Sequence, residues 1–358
     1  MDFGFSALTS QRPEFKNALK TWSEQLEPKL SAMEQDRLAV IAHARKRTVY
    51  TALSVGACVL LLIFLTRGSM LLFMLIGGGM LTAVISGVAW LPLMTMKSQT
   101  KQHIVGAAAA AFGFEYETLH EATPDVRNLA QAGTWMTEHL SQAKTNPLFS
   151  SGQEVGVPTP AFEVLRSVKL LPSYDDRKFE DLIQGNRAGA AFSMVECKLT
   201  EEQGSGKNRR TVTKFQGLLF HIQYPDRFLG KTLIARQGWW KGWFGDKELK
   251  KVDLVAKELE DNFTIYSNDQ VEARALLTPD RMARLIALER HFKGGKLRGV
   301  FEGDHLTLAL QAKNQFEAGS IWKPLVDPER FVSALTEIGL VCDVIDGFLT
   351  RDWVKDKF

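Results

Sequence analysis

Two apolar runs near the N-terminus dominate the hydropathy pattern of this chain. Thr48–Thr66 and Met70–Met96 carry no formally charged side chain, and only Arg67-Gly68-Ser69 separates them. About 20 mostly apolar residues are enough for a helix to cross a bilayer, and in hydrocarbon a backbone must satisfy its own hydrogen bonds. A three-residue connection then predicts an antiparallel helical hairpin, 48–66 and 70–96, embedded in a lipid bilayer. Upstream, Phe15, Leu19, Trp22, Leu26, Leu30 and Met33 recur at steps of three and four, which predicts an amphipathic helix within residues 1–47. Pro13 suits its first turn and Pro28 would bend it. Its narrow stripe fits either packing against the C-terminal domain or pairing with a helix of another copy.

Past the second run the helical pattern continues through Ser98–Tyr116, and residues 97–160 are expected to be a helical extension and linker, with Pro147, Gly152, Pro158 and Pro160 breaking the end of it. Residues 161–358 then read as an α+β domain with an antiparallel sheet and packed helices. Ala190–Leu199 and Thr211–Tyr224 form a predicted hairpin around Gly204–Asn208. Lys231–Arg236 and Phe263–Tyr266 are further strands, and Gly299–Phe301 with Leu306–Gln311 make a second hairpin at Gly303-Asp304. Val271–Phe292 is helical with a restart at Pro279, after N-cap candidates Ser267, Asn268 and Asp269. Pro328–Ile338 is a last helix, closed by Gly339.

Charge sets the expected orientation. Arg45-Lys46-Arg47 precedes the first run and Lys97 and Lys101 follow the second, against Arg67 alone in the turn. Basic residues beside spans favour the cytoplasmic side, so both termini are expected in the cytoplasm. A cleavable signal peptide is not expected, because the first apolar run begins almost fifty residues into the chain. The whole chain has 44 Lys and Arg against 41 Asp and Glu. Residues 97–358 balance at 35 of each, which argues against a nucleic-acid partner.

Candidate chemistry is sparse. Gly230-Lys231-Thr232 resembles the end of a phosphate loop, but Pro225 stands where the first glycine belongs. No two of the seven histidines are three or four residues apart, and Cys58, Cys197 and Cys342 are widely separated; no metal, cofactor or disulfide is expected. Asp175-Asp176, Glu180-Asp181 and Glu260-Asp261 read as solvated turns and helix starts. Two features point to surfaces instead. Gly79, Ala83 and Gly87 make a small-residue face suited to close helix packing in lipid, opposite either the first run at Ala52 and Gly56 or another protein. Trp239, Trp240, Trp243 and Phe244, followed by Lys247, Lys250 and Lys251, suit membrane contact, although a core plug or a protein partner fits the same composition.

One stretch is familiar. Phe263-Thr264-Ile265-Tyr266-Ser267-Asn268-Asp269-Gln270-Val271-Glu272-Ala273-Arg274-Ala275-Leu276-Leu277-Thr278-Pro279 resembles the signature of an uncharacterised bacterial family of two-span membrane proteins, a domain of unknown function. Glu180–Gly185, Phe192–Leu199, Phe215–Phe220, Leu306–Leu310 and Phe316-Glu317 fit that pattern in the same order. The resemblance implies two spans before a cytoplasmic α+β domain. It also implies a LemA-type membrane protein as a possible partner, since genes for the two often neighbour each other. It supplies no catalytic residue, and the Trp-rich loop is not part of its pattern. The chain is therefore expected to be a membrane-anchored scaffold that assembles with itself or another inner-membrane protein. The alternative is an enzyme working on a membrane-associated substrate at the domain–bilayer interface.

Overall fold

The computed structural model describes residues 12–65, 71–119, 160–204, 209–236, 248–253, 262–292, 295–317 and 319–349. They fall into two compact units. The first contains the N-terminal helices up to Ile104 together with residues 319–331, and the second contains the remainder.

In the first unit the chain enters through a 3₁₀ turn, Pro13–Asn17, a helical turn, Ala18–Thr21, and a π turn, Trp22–Leu26, before α1, Glu27–Leu65. The π turn has a local cause. Pro28 has no N–H to offer the carbonyl four residues back, and the Glu27 amide instead bonds Trp22 five residues back. The wider turn shifts the phase of the stripe. Phe15, Ala18, Trp22, Leu26 and Leu30 are buried, while Leu19, expected on the stripe, is exposed. Trp22 stacks on Phe331, with ring centroids 6.3 Å apart, so the apolar face has a partner within its own chain. From Glu27 the helix runs unbroken to Leu65, joining the amphipathic segment to the first apolar run.

The second long helix, α2, is Leu71–Ala111. It ends earlier than its periodicity predicts. Phe114 N–H bonds the Ala109 carbonyl and Gly113 N–H that of Ala110, with Gly113 at φ +75°. This is a Schellman cap, open to glycine because a side chain would be strained there. The residues expected to continue the helix instead form β1, Glu115–Thr118.

The second unit is built on a nine-stranded sheet whose pairings are all antiparallel among the described residues. After β1 come β2 (Asp176–Arg187), β3 (Ala190–Gln203), β4 (Arg210–Gln223), β5 (Thr232–Arg236), β6 (Lys250–Val252), β7 (Phe263–Ser267), β8 (Leu297–Glu302) and β9 (His305–Gln311). Their order across the sheet is β1-β2-β3-β4-β9-β8-β5-β7-β6. The two expected hairpins are thus neighbours in one sheet, joined where β4 pairs with β9. That junction needs Gly217, because a Cβ there would collide with the Leu310 carbonyl.

The helix α3, Pro160–Ser167, covers one face, where Phe162 and Leu165 meet Phe179, Val195, Leu199, Phe215 and Leu219. Sequence reading expected irregular chain at its start and missed β2. The helices α4 (Gln270–Leu276) and α5 (Pro279–His291) follow β7 as expected. Asp269 caps α4 by accepting from the Val271 and Glu272 amides. The last helix, α6, is Pro328–Leu349, eleven residues longer than expected. Gly339 lies inside it, because Val341, Val344, Ile345 and Phe348 extend the buried stripe. Phe348 meets Phe301 on the other sheet face, 6.0 Å between centroids.

Candidate functional site

Within the first unit, the region where the apolar runs begin and end is the most elaborately built. Trp90 of α2 donates its Nε1–H to Thr48 Oγ1 at 3.3 Å, which fixes the level of one helix against the other. Thr48 is the first residue of the first uncharged run, so Trp90 marks the same level on α2. Beyond it Leu93 and Met96 are buried against Ile321 and Leu325, with Val40 and Ile41 beside them. One side of the last turns of the second apolar run is therefore covered by protein, while Met94 stays exposed.

The covering loop is held by buried charge. Arg37, only 4% exposed, forms a two-pronged pair with Glu34 at 2.6 and 2.9 Å and donates to the Ile321 carbonyl at 3.0 Å. Glu34 also accepts the Leu325 amide at 2.8 Å. The Arg37 hydrogen bond holds the Glu34 carboxyl below its ordinary range, and the same bond raises the Arg37 guanidinium. On the other side of the loop, Arg330 donates to the Ser320 and Lys323 carbonyls at 2.8 and 3.3 Å. Between these clamps Trp322 is 61% exposed, its ring 5.3 Å from that of Trp90.

Farther along, the apolar residues face outward. Phe64 is 81% and Phe73 78% exposed, and neither apolar stretch is buried by the rest of the described residues. The two helices meet at Gly78, where a Cβ would come 2.7 Å from Val59 Cγ2 and 3.3 Å from Val55 Cγ1. Gly79, Ala83 and Gly87 are exposed, and a Cβ on either glycine would meet nothing within 4 Å. Gly56 likewise has open space before it. The predicted small-residue face is thus turned away from the first apolar helix. Trp239, Trp240, Trp243 and Phe244 lie outside the described residues, as does the turn at Arg67-Gly68-Ser69.

The second unit holds two polar groupings. Glu180 and Asp181 are not a solvated turn as the sequence suggested. They form a bulge in β2, two residues opposite Glu196 of β3, and Asp181 and Glu196 are buried. Carboxylate oxygens of Glu180, Asp181 and Glu196 lie within 4.8 Å of one another. Tyr116 donates its hydroxyl to Asp181 at 2.7 Å, and the Gln315 amide reaches Glu196 at 3.3 Å. Burial, and then the Asp181 charge, push the Tyr116 phenol far above its ordinary range. Burial also raises the neighbouring Cys197 thiol, which leaves it a poor nucleophile. The acidic trio offers oxygen donors of the kind hard cations use, but its documented partners are protein groups.

The other grouping is His221 on β4 and His305 on β9, stacked at 4.3 Å and 11°. His221 Nδ1 lies 3.0 Å from Thr307 Oγ1, and His305 Nδ1 2.6 Å from Asp304. Burial, then the charge of His305, lower His221 to about 4. The Gly230-Lys231-Thr232 segment has a structural role. Glu272 accepts the Leu229 and Gly230 amides, both at 2.8 Å, and Asn268 accepts that of Lys231. These bonds tie the loop before β5 to the start of α4.

Sequence reasoning missed Trp322, Glu34 and Arg37. The available signal was a lone tryptophan beside a lysine within Gly319-Ser320-Ile321-Trp322-Lys323-Pro324. Its ring partner, Trp90, is 232 residues away in sequence.

These features define an α+β protein with one large antiparallel sheet and a pair of long apolar helices. Within it, residues 213–349 match the model of a family described as a protein of unknown function, DUF3137. The match runs from β4 to the end of α6 and leaves out α1, α2 and β1–β3. No curated protein matches the chain. Among solved structures it is similar to the crystal structure of the mycobacterial trehalose monomycolate transport factor A, TtfA, with a TM-score of 0.30 and 9% identity. That alignment covers 71% of this chain and 99% of the other. A likeness of this size carries no functional argument.

Proposed function

We propose that this protein is a membrane-anchored scaffold: α1 and α2 cross a bacterial inner membrane as a hairpin, and the sheet domain presents binding surfaces on the cytoplasmic side. The observation that carries the reading is the outward display of large apolar side chains along both helices, Phe64 and Phe73 foremost. A continuous apolar surface of that length is costly in water and favourable in hydrocarbon. Cytoplasmic termini follow from Arg45-Lys46-Arg47 beside the first run. Gly79, Ala83 and Gly87 supply an open face for a second copy or for another inner-membrane protein, of which a LemA-type protein is the candidate the family resemblance offers. Trp239, Trp240, Trp243 and Phe244 are assigned to lipid contact on composition alone.

The alternative, an enzyme on a membrane-associated substrate, has weaker support. Asp181, Glu196 and Cys197 are reactive residue types, but all three are buried. Reporter fusions at Met1 and Phe358 test the topology: cytoplasmic signals are expected from both, and periplasmic activity from either overturns it. Pull-down in mild detergent with mass measurement tests the scaffold, which requires a stoichiometric partner or a homo-oligomer.

A further inference from the structure

We propose that the loop 319–325 is a lipid-surface clip: Trp322 places its indole in the headgroup layer of the bilayer that α1 and α2 cross, and Lys323 with Arg45, Lys46 and Arg47 meets anionic headgroups there. The inference rests on the hairpin reading and adds a contact that the apolar runs do not contain.

The level of the ring is fixed by internal geometry. Trp90 is hydrogen-bonded to Thr48, the first uncharged residue of α1, and Trp322 packs on Trp90 at 5.3 Å. Both indoles therefore lie where the apolar surface gives way to Arg45-Lys46-Arg47. Tryptophan prefers this boundary because it combines a broad apolar ring with a polar N–H. The surroundings match. Tyr50, two residues into the run, is exposed, as are Arg45, Lys46, Arg47 and Lys323. Clusters of cationic side chains at the cytoplasmic surface attract anionic lipid.

The ring is also held in place. Arg37 grips the Ile321 carbonyl, Glu34 the Leu325 amide, and Arg330 the Ser320 and Lys323 carbonyls. An aromatic side chain exposed at the tip of so constrained a loop gains nothing for the fold from its outer face. That face borders the predicted lipid surface, which makes the bilayer its occupant.

The test uses the full chain in vesicles of phosphatidylethanolamine and phosphatidylglycerol. In a Cys58→Ser background, where Cys197 and Cys342 are buried, an environment-sensitive probe is attached at Trp322→Cys, Phe64→Cys or Glu329→Cys. The probe at 322 should be quenched by shallow spin-labelled lipid and protected from aqueous iodide, severalfold relative to the exposed position 329. Replacing phosphatidylglycerol with a zwitterionic lipid should weaken that protection. A probe at 322 as open to iodide as one at 329, while position 64 is quenched by deep lipid, overturns the clip and leaves the hairpin standing. Position 64 in water overturns the hairpin and the clip with it. Because Trp322→Cys loses the ring stack, intrinsic fluorescence provides a second readout. Wild type should lose a blue-shifted, lipid-quenched component in Trp322→Phe, and an unchanged spectrum counts against the proposal.

Discussion

Glu34→Gln should release the loop 319–327 from the long helices. Glu34 accepts three hydrogen bonds, two from Arg37 at 2.6 and 2.9 Å and one from the Leu325 amide at 2.8 Å. Glutamine keeps an acceptor for Leu325 but removes the charge facing a guanidinium that is 4% exposed. Leaving one member of a buried ion pair unpaired costs roughly 3–5 kcal/mol. Hydrogen exchange of the loop amides in detergent reads this directly, since Leu325 N–H is itself in the network. At about 1.4 kcal/mol per factor of ten, exchange should accelerate by roughly two to three orders of magnitude. A double replacement, Glu34→Gln with Arg37→Met, should exchange more slowly than the single variant, because it keeps an acceptor for the Leu325 amide and leaves no buried charge behind. Acid adds a signature. The Glu34 carboxyl is lowered from 4.5 in the folded chain, so its contribution is complete above that value and is lost as pH falls through the lower folded value. After correction for intrinsic rates, loop protection in wild type should decay in that acidic window, and Glu34→Gln should lack the decay. Unchanged exchange in Glu34→Gln, or a double variant worse than the single one, would refute the clamp.

In α2, Gly78→Leu should drive the helices apart, because its first carbon would overlap Val59, and lower the melting temperature in detergent. Gly79→Leu with Gly87→Leu should leave the hairpin itself stable and instead break oligomers or partner binding, measured by size and pull-down; unchanged assembly assigns that face to lipid. In the sheet, His221 is lowered from 6.5 to about 4, so folded chain resists its protonation. Stability should be complete above pH 6.5 and fall between there and pH 4, and His221→Asn should flatten that part of a denaturation–pH profile.

Local pattern carried much of the architecture. The two uncharged runs, the strands at 190–199, 211–224, 231–236, 263–266 and 306–311, and the restart at Pro279 are all written in short-range periodicity and capping. They were legible because burial on one face imposes a period of two or about 3.6 on neighbouring residues. The same logic failed where contacts made by distant residues overruled it. Glu180-Asp181 reads as exposed, yet the β2 bulge turns Asp181 inward, where the Tyr116 hydroxyl meets it. Gly339 reads as a stop, yet α6 continues because Val341, Ile345 and Phe348 are buried beyond it, Phe348 against Phe301 of the sheet. Pro28 reads as a bend, and the π turn absorbs it.

The sequence by itself determined that two lipid-length helices precede an α+β domain with an antiparallel sheet, because apolar length, period and turn residues are local properties of the chain. Only the tertiary structure decided where the second apolar run leaves its exposed surface, which glycine meets the first helix, and that Trp322 joins Trp90 beside Arg45-Lys46-Arg47. Those facts depend on residues far apart in sequence being brought together by the packing of residues 319–331 onto α1 and α2. A one-dimensional pattern contains no term for such contacts.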